Sequence, residues 1–293
     1  MILSGNSVIA RSVNSSRIQA VARRPRTASQ LSHKLLYIVH VISPKLEAVS
    51  WPRRRHGFYM RQDRFVFSVT SGRSGTTLLT KLAQCVTGVH AEHEGRPRLN
   101  YVMRAVLNHS EAAKGWLLTE FYPSIRERAG DKVYFDPSHL FCKGFIEPTL
   151  DIGITPKFII LRRPAREVAS SLFSINCIPE RTSDGRLVLI GPSDLGHSKL
   201  DWQSISDYGL CYWYAKEMER RQNFYTTFLP VKGCQVLSID LGDIPKPDFL
   251  SGIASFLTDQ TAPKINWNNV LECISTHQNP RSHFVTSIRE LPP

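Results

Sequence analysis

A glycine-rich turn between a short apolar run and a helical pattern is the feature that most constrains this chain. Residues 65–69 predict a buried strand, and residues 78–86 carry apolar side chains at helical spacing. Between them stands Ser71-Gly-Arg-Ser-Gly-Thr-Thr77. Free N–H groups and the helix dipole converge at such a helix N-terminus, and both favour an anion. Gly72 and Gly75 allow the backbone to approach it closely, so the sequence predicts an anion-binding turn.

Side chains of the turn add further donors. Arg73 offers a planar set of N–H groups to a phosphate or sulfate oxygen, and Ser74, Thr76 and Thr77 add hydroxyl groups. A P-loop that hydrolyses ATP or GTP would place a Lys at position 76. Because Thr76 stands there instead, nucleotide hydrolysis is disfavoured.

The remaining pattern predicts the fold class. Residues 158–161 form an unbroken apolar run, and residues 165–175 follow with helical spacing. Unalternated strands are typical of a parallel sheet covered on both faces. Further strands are predicted at 133–135 and 235–239, and further helices at 102–107, 115–128 and 208–228. This alternation predicts a three-layer α/β fold, with a central parallel sheet flanked by helices.

The basic excess of the chain lies in its N-terminal segment. The net charge is +12, yet residues 1–62 hold eleven Lys and Arg residues against one acidic residue. From Asp63 onward there are 26 basic and 24 acidic residues, which disfavours a specific nucleic-acid partner. We predict a basic extension over 1–62, either unstructured or a transit peptide, and one domain over 63–293. The expected location is cytoplasmic, or an organelle if the extension is a transit peptide.

Three further patterns narrow the classes of protein to which this chain can belong. No run of about 18 apolar residues occurs, so a membrane span is not expected. The six cysteines show no CxxC spacing, which predicts reduced thiols and no metal. Residues 178–200 are rich in Pro and Gly, which predicts a long loop of the kind that often covers a substrate. The sequence does not indicate an oligomeric state.

Two motifs resemble the sulfotransferases that use 3′-phosphoadenosine 5′-phosphosulfate (PAPS). The turn with the two leucines that follow it, residues 71–79, resembles the 5′-phosphosulfate loop of that family. Residues 157–172 resemble a second motif, in which an Arg at a strand end and a Ser about eight residues later bind the 3′-phosphate of the nucleotide. The resemblance implies a P-loop-type fold, PAPS as the sulfuryl donor and residues 71–77 as its binding loop.

The second motif can be aligned in two registers. Counting from the end of the strand gives Arg162 with Ser170, the pair that we prefer because the strand end fixes the Arg most directly. Counting back from Val168 gives Arg163 with Ser171 as the alternate pair.

The same resemblance indicates a base. In protein-tyrosine and many carbohydrate or bacterial sulfotransferases, a Glu about twenty residues beyond the loop takes the proton of the acceptor hydroxyl. Glu94 lies at that distance, and Glu92 and His93 are the alternatives. Such a base accelerates the transfer by about 10²- to 10⁴-fold.

A third stretch matches the family only in part. Asp136 and Pro137 are present, but the Lys that often contacts the bridging oxygen is not at its usual place. Lys143 lies seven residues after Asp136, and it is a catalytic candidate together with His139. The family's C-terminal Arg-Lys-Gly phrase has no counterpart except the loop at residues 279–282. The chain therefore resembles the carbohydrate, protein-tyrosine and bacterial types more than the cytosolic steroid and phenol enzymes.

These expectations together predict a PAPS-dependent sulfotransferase that acts on a hydroxyl, with a carbohydrate as the favoured acceptor and small molecules or peptides as the others. A P-loop kinase or other phosphotransferase is one alternative, which a magnesium requirement would identify. A protein that binds nucleotides or polyanions without catalysis is the other. We predict that the aromatic stripe of Tyr208, Tyr212 and Tyr214 serves packing.

Overall fold

A five-stranded parallel sheet organises the fold. The computed structural model describes residues 64–195, 201–244 and 246–275. The strands are β1 (Phe65–Val69), β2 (Val89–Ala91), β3 (Val133–Asp136), β4 (Lys157–Arg162) and β5 (Val236–Asp240). Their order is β2-β3-β1-β4-β5, and all four pairings are parallel. The predicted α/β class with a central parallel sheet is confirmed.

Helices connect the strands and cover both faces of the sheet. In chain order they are α1 (Thr76–Gln84), α2 (Met103–Val106), α3 (Ser110–Trp116), α4 (Tyr122–Ala129), α5 (Ile146–Asp151), α6 (Ala165–Ser174), α7 (Ser183–Val188), α8 (Asp207–Val231), α9 (Pro247–Thr258) and α10 (Trp267–Ser275). A π-helical turn, Leu117–Phe121, joins α3 to α4. Within the described residues, none of the helices has both the length and the apolarity needed to cross a membrane.

Alternate residues of the central strands enter two separate cores. Phe67 of β1 and Phe158 of β4 pack with residues of α4, α6 and α8 on one face. Val66 and Ile159 point to the other face, where they pack with α1 and α9. Since both faces are covered, the strands need the unbroken apolar runs that the sequence shows.

Two regions differ from the sequence expectation. The predicted helix at 115–128 is divided by the π-helical turn. The prediction of a long loop over 178–200 was wrong for residues 183–188, which form α7. The Thr182 hydroxyl caps this helix by accepting a hydrogen bond from the Gly185 N–H at 3.1 Å, and buried Leu189 and Ile190 anchor its end. The predicted extension 1–62 and the loop 279–282 lie outside the described residues.

Buried aromatic rings at the centre of the sheet give a test of this packing. The rings of Phe67 and Phe141 stack with centroids 3.7 Å apart, and both side chains are fully buried. We expect Phe67→Ala to lower the free energy of unfolding by about 3–5 kcal/mol, because it leaves a cavity. Phe224→Ala, at a ring that is 47% exposed, should cost less than about 1 kcal/mol. Urea denaturation measures both, and equal losses would contradict the assignment of Phe67 to the core.

Candidate active site

The glycine-rich turn leaves β1 at the centre of the sheet. Gly72, Arg73 and Gly75 all have positive φ angles, of 77°, 54° and 81°. Gly75 is the N-cap residue of α1. A left-handed conformation is unfavourable for a residue with a side chain, so Arg73 is strained there. Such strain at the mouth of a helix is typical of a functional turn.

Backbone donors of this turn have no partner in the part of the chain that the structure describes. Among the hydrogen bonds of the described residues, none is donated by the N–H groups of residues 72–75. The Ser71 and Ser74 hydroxyl groups lie 2.8 Å apart, and both donate to the Gly72 carbonyl. A side chain at Gly72 would lie 3.0 Å from the His139 ring. The turn is therefore a narrow cradle of free N–H groups, which suits a phosphate or sulfate group.

Two arginines flank the cradle. Arg73 Nε donates to Ser171 Oγ at 3.0 Å, and Arg163 donates to the Arg73 carbonyl oxygen. Partial burial and the nearby Arg163 charge lower the pKa of Arg73. The Glu167 carboxylate accepts from Arg163 Nε at 3.0 Å. Two guanidinium groups beside one turn make the site strongly attractive to an anion.

Arg162, the arginine that we prefer from the sequence for the 3′-phosphate, points away from the turn. Arg162 directs its Nη1 to Asn223 Oδ1 at 2.8 Å and its Nη2 to Thr226 Oγ1 at 3.2 Å, both on α8. Ser170 has no contact with the turn among the described hydrogen bonds. The structure thus brings Arg163 and Ser171, the alternate pair, to the turn and does not bring Arg162 and Ser170 there.

Glu94 follows the carboxyl end of β2, at the same end of the parallel sheet as the glycine-rich turn. It too has a positive φ, of 55°, and its N–H donates to Asp136 Oδ1 at 3.3 Å. Its Oε1 is 3.8 Å from His139 Nε2. Asp136 is buried and also accepts from the Ser138 N–H at 2.9 Å, and burial raises its pKa to about 7. Asp136 therefore fixes the backbone on both sides of the space between Glu94 and His139.

Lys143 is buried behind His139 and does not face solvent. Its Nζ lies 2.6 Å from His139 Nδ1 and donates to the Val188 carbonyl oxygen at 2.5 Å. The ammonium group also stands 5.1 Å from the centre of the Tyr214 ring. Burial lowers the pKa of Lys143 to about 7. It also holds the pKa of His139 well below its usual range, and the Lys143 and His93 charges add to this effect.

The two alternatives to Glu94 have different surroundings. Glu92 accepts from Arg128 with both carboxylate oxygens at 2.9 Å and from His90 at 2.9 Å. Burial opposes ionisation of Glu92, but the hydrogen bonds from Arg128 and His90 outweigh it and lower the pKa. His93 Nε2 lies 2.9 Å from Thr76 Oγ1 of the turn. The structure brings His93 to the turn and engages Glu92 in an ion pair.

One supporting residue was missed by the sequence analysis. Tyr214 was assigned to packing, and its side chain is buried. Its hydroxyl group nevertheless donates to the Ser71 carbonyl oxygen at 2.5 Å, which ties α8 to the start of the turn. The spacing of aromatic residues along α8 carries no signal for this contact.

An open cleft of about 580 Å³ begins two residues after Glu94. It is lined by Arg96, Pro97, Arg98, Tyr101, Glu120 and Ser124. Both arginines are exposed, and the Tyr101 ring is 39% exposed. The cleft thus combines hydrogen-bond donors and acceptors with an aromatic surface.

No protein-family model and no curated protein sequence matches this chain. Among solved structures, it is similar to the sulfotransferase domain from the curacin biosynthetic pathway, with 14% identity and a TM-score of 0.44 over 73% of this chain and 78% of that one. It is also similar to mouse sulfotransferase SULT7A1 complexed with PAP, with 15% identity and a TM-score of 0.36 over 74% of this chain and 63% of that one. Similarity at this level does not establish a function, which must be inferred from the site.

The raised pKa of Asp136 predicts a pH dependence of stability. In the unfolded chain this carboxyl ionises near its ordinary pKa of about 4, whereas in the folded chain it ionises near 7. Between these values the folded state holds the extra proton, so Asp136 stabilises the fold less as the pH rises from about 4 to 7. Asp136→Asn keeps the acceptor oxygen without the charge. We expect the stability of this variant relative to wild type to increase over that range.

Urea denaturation of both proteins at a series of pH values measures the difference. Asp151→Asn, at an exposed carboxylate, is the control and should not show this increase. A constant difference between Asp136→Asn and wild type from pH 4 to 7 would show that folding does not raise the pKa of Asp136.

Proposed function

We propose that this protein is a PAPS-dependent sulfotransferase. The observation that carries the proposal is that several groups lie together at the carboxyl ends of the strands. There the cradle of free N–H groups, the Arg73–Ser171 and Arg163 contacts and the Glu94 carboxylate all meet. Transfer of a sulfuryl group needs donors for the charge that develops on its oxygens and a base for the acceptor hydroxyl. This arrangement offers both.

Residues 71–77 would hold the 5′-phosphosulfate of PAPS, since their N–H groups and hydroxyl groups fit an anion. For the 3′-phosphate we propose Arg163 with Ser171. This pair is supported by its location, because both residues contact Arg73 of the turn, whereas Arg162 points to Asn223 and Thr226 on α8. When bound, PAPS would supply the sulfuryl group, and Arg73 would orient its oxygens.

Glu94 is the base in this proposal. Its carboxylate is half-buried, its backbone is fixed by Asp136, and the neighbouring His139 is held neutral. Glu92 is already paired with Arg128, so it is not free to accept a proton. Glu94 would take the acceptor proton directly, with no metal ion required.

The acceptor that fits best is a carbohydrate. The cleft that begins two residues after Glu94 in the chain presents Arg96, Arg98, Glu120 and Ser124 for hydrogen bonds. Tyr101 adds a ring whose apolar face can pack on a sugar. This mixture suits a ligand that carries many hydroxyl groups and little apolar surface.

Binding of adenosine 3′,5′-bisphosphate tests the nucleotide site and its register. We expect Arg163→Ala and Ser171→Ala to weaken binding, the arginine variant by about tenfold to a hundredfold, because each loses a charge-assisted hydrogen bond. Arg162→Ala and Ser170→Ala, one residue away, are the matched controls and should bind like wild type. Calorimetric titration without magnesium, with 5′-AMP and ATP as comparison ligands, measures this.

Either of two results would contradict these assignments. Loss of affinity only in Arg162→Ala and Ser170→Ala would show that the preferred sequence register is the right one. ATP binding as tight as that of the bisphosphate would favour a phosphotransferase over a sulfotransferase.

Replacement of the base should separate binding from turnover. We expect Glu94→Gln to bind the bisphosphate normally and to reduce sulfuryl transfer by about 10²- to 10⁴-fold. Transfer of ³⁵S from labelled PAPS to a panel of carbohydrates measures turnover. Glu127→Gln, at an exposed position on α4, is the control. Full turnover in Glu94→Gln would remove Glu94 from the role of base.

A further inference from the structure

A line of three titratable side chains runs from the mouth of the site into the interior. Glu94 lies at the mouth, His139 packs against Gly72 behind it, and Lys143 lies behind His139. His139 is 8% exposed and Lys143 is fully buried. The proposed reaction uses Glu94 but does not explain why a lysine is buried there with no ion pair to a carboxylate of the described residues.

The contacts of Lys143 restrict its partner. An ammonium group has three donors and no acceptor, whereas a neutral imidazole has one donor nitrogen and one acceptor nitrogen. Lys143 Nζ lies 2.6 Å from His139 Nδ1, so Nδ1 is the acceptor when the lysine is charged, below its pKa of about 7. The imidazole proton is then on Nε2, the nitrogen that faces Glu94 Oε1 at 3.8 Å.

The positive charges around His139 act in the same direction. The groups that face it are Lys143, His93 and Glu94. The Lys143 charge opposes protonation of the ring, so His139 stays neutral. Lys143 is itself placed by the carbonyl of Val188, the last residue of α7, and by the Tyr214 ring of α8. The nearby Arg221 and Cys142 also influence its charge.

We infer that the Lys143 ammonium group fixes His139 in the tautomer with its proton on Nε2. Lys143 is thereby a positioning residue, and His139 offers a hydrogen-bond donor to the site and cannot accept the acceptor proton. The catalytic part of this inference rests on the proposed function, in which Glu94 takes that proton. The tautomer itself is a property of the free protein and does not depend on any ligand.

Nitrogen NMR of the full chain labelled with ¹⁵N-histidine tests the tautomer. The chain has ten histidines, and His139→Asn identifies the signals of His139 by their loss. The measurement is made at pH 6, below the lowered pKa of Lys143, where its amine is charged. We expect wild-type His139 to be neutral with its proton on Nε2. A proton on Nδ1, or an imidazolium ring, would overturn the inference whatever any variant shows.

Lys143→Met removes the donor and keeps an unbranched side chain of similar length. We expect His139 to lose its single tautomer in this variant and to titrate closer to the ordinary histidine pKa of about 6.5. Lys157→Met is the matched control, since Lys157 is a second buried lysine that is bound to Phe256 and Asp259 instead. It should leave the His139 signals unchanged. An unchanged tautomer in a folded Lys143→Met protein would also overturn the inference.

Turnover separates this inference from the proposed function. If both hold, Lys143→Met binds adenosine 3′,5′-bisphosphate normally. Its turnover falls by about tenfold to a hundredfold, as when the orienting partner of a histidine is removed. Its pH–rate profile also gains a limb near pH 6.5. Lys157→Met keeps the wild-type profile. If the tautomer is confirmed but wild type binds no bisphosphate, only the proposed function fails. If bisphosphate binds but His139 carries its proton on Nδ1, only the present inference fails.

Discussion

The unpaired N–H groups of the turn after β1 are the constraint on which the rest of the site depends. Leaving several backbone donors without partners is costly, and proteins accept this cost where a ligand completes them. Tyr214 and Arg163 brace the turn from α8 and from the end of β4 by bonding its carbonyl oxygens. These contacts satisfy the acceptors and leave the donors free. The surrounding helices therefore hold the turn in a shape that an anion fits.

Much of the fold was predictable because the strands obey a simple rule. β1, β3 and β4 are mostly apolar and buried. These strands and β5 each lie within one or two residues of their predicted bounds. β2 has only three residues, too few to show any period. α7 escaped prediction because a cap at Thr182 and a close approach at Gly185 create it. Neither contact can be read from hydrophobic spacing.

The candidate site was predictable where one segment suffices and not where segments meet. The residues of the turn are consecutive in the sequence, so its glycines and hydroxyl groups predict an anion site directly. The choice between Arg162 and Arg163 depends on which way each side chain leaves the end of β4, and spacing cannot decide that. Lys143 illustrates the same limit. Seven residues separate it from Asp136, but only the contact with Val188, 45 residues further along, shows that its head group points inward.

Gly72 and Gly75 are both closely packed, so their conservation in relatives of this chain would not by itself indicate a bound ligand. A side chain at Gly72 would press on the His139 ring, and one at Gly75 would lie 2.3 Å from Leu241 Cδ1. Both glycines are thus demanded by the fold as well as by a ligand. A descendant that had lost all activity would still be selected to keep them. Arg73 is under no such steric demand: its positive φ is a cost to stability, which its hydrogen bond to Ser171 offsets only in part. Its presence or loss is therefore the better record of whether a relative still handles an anion.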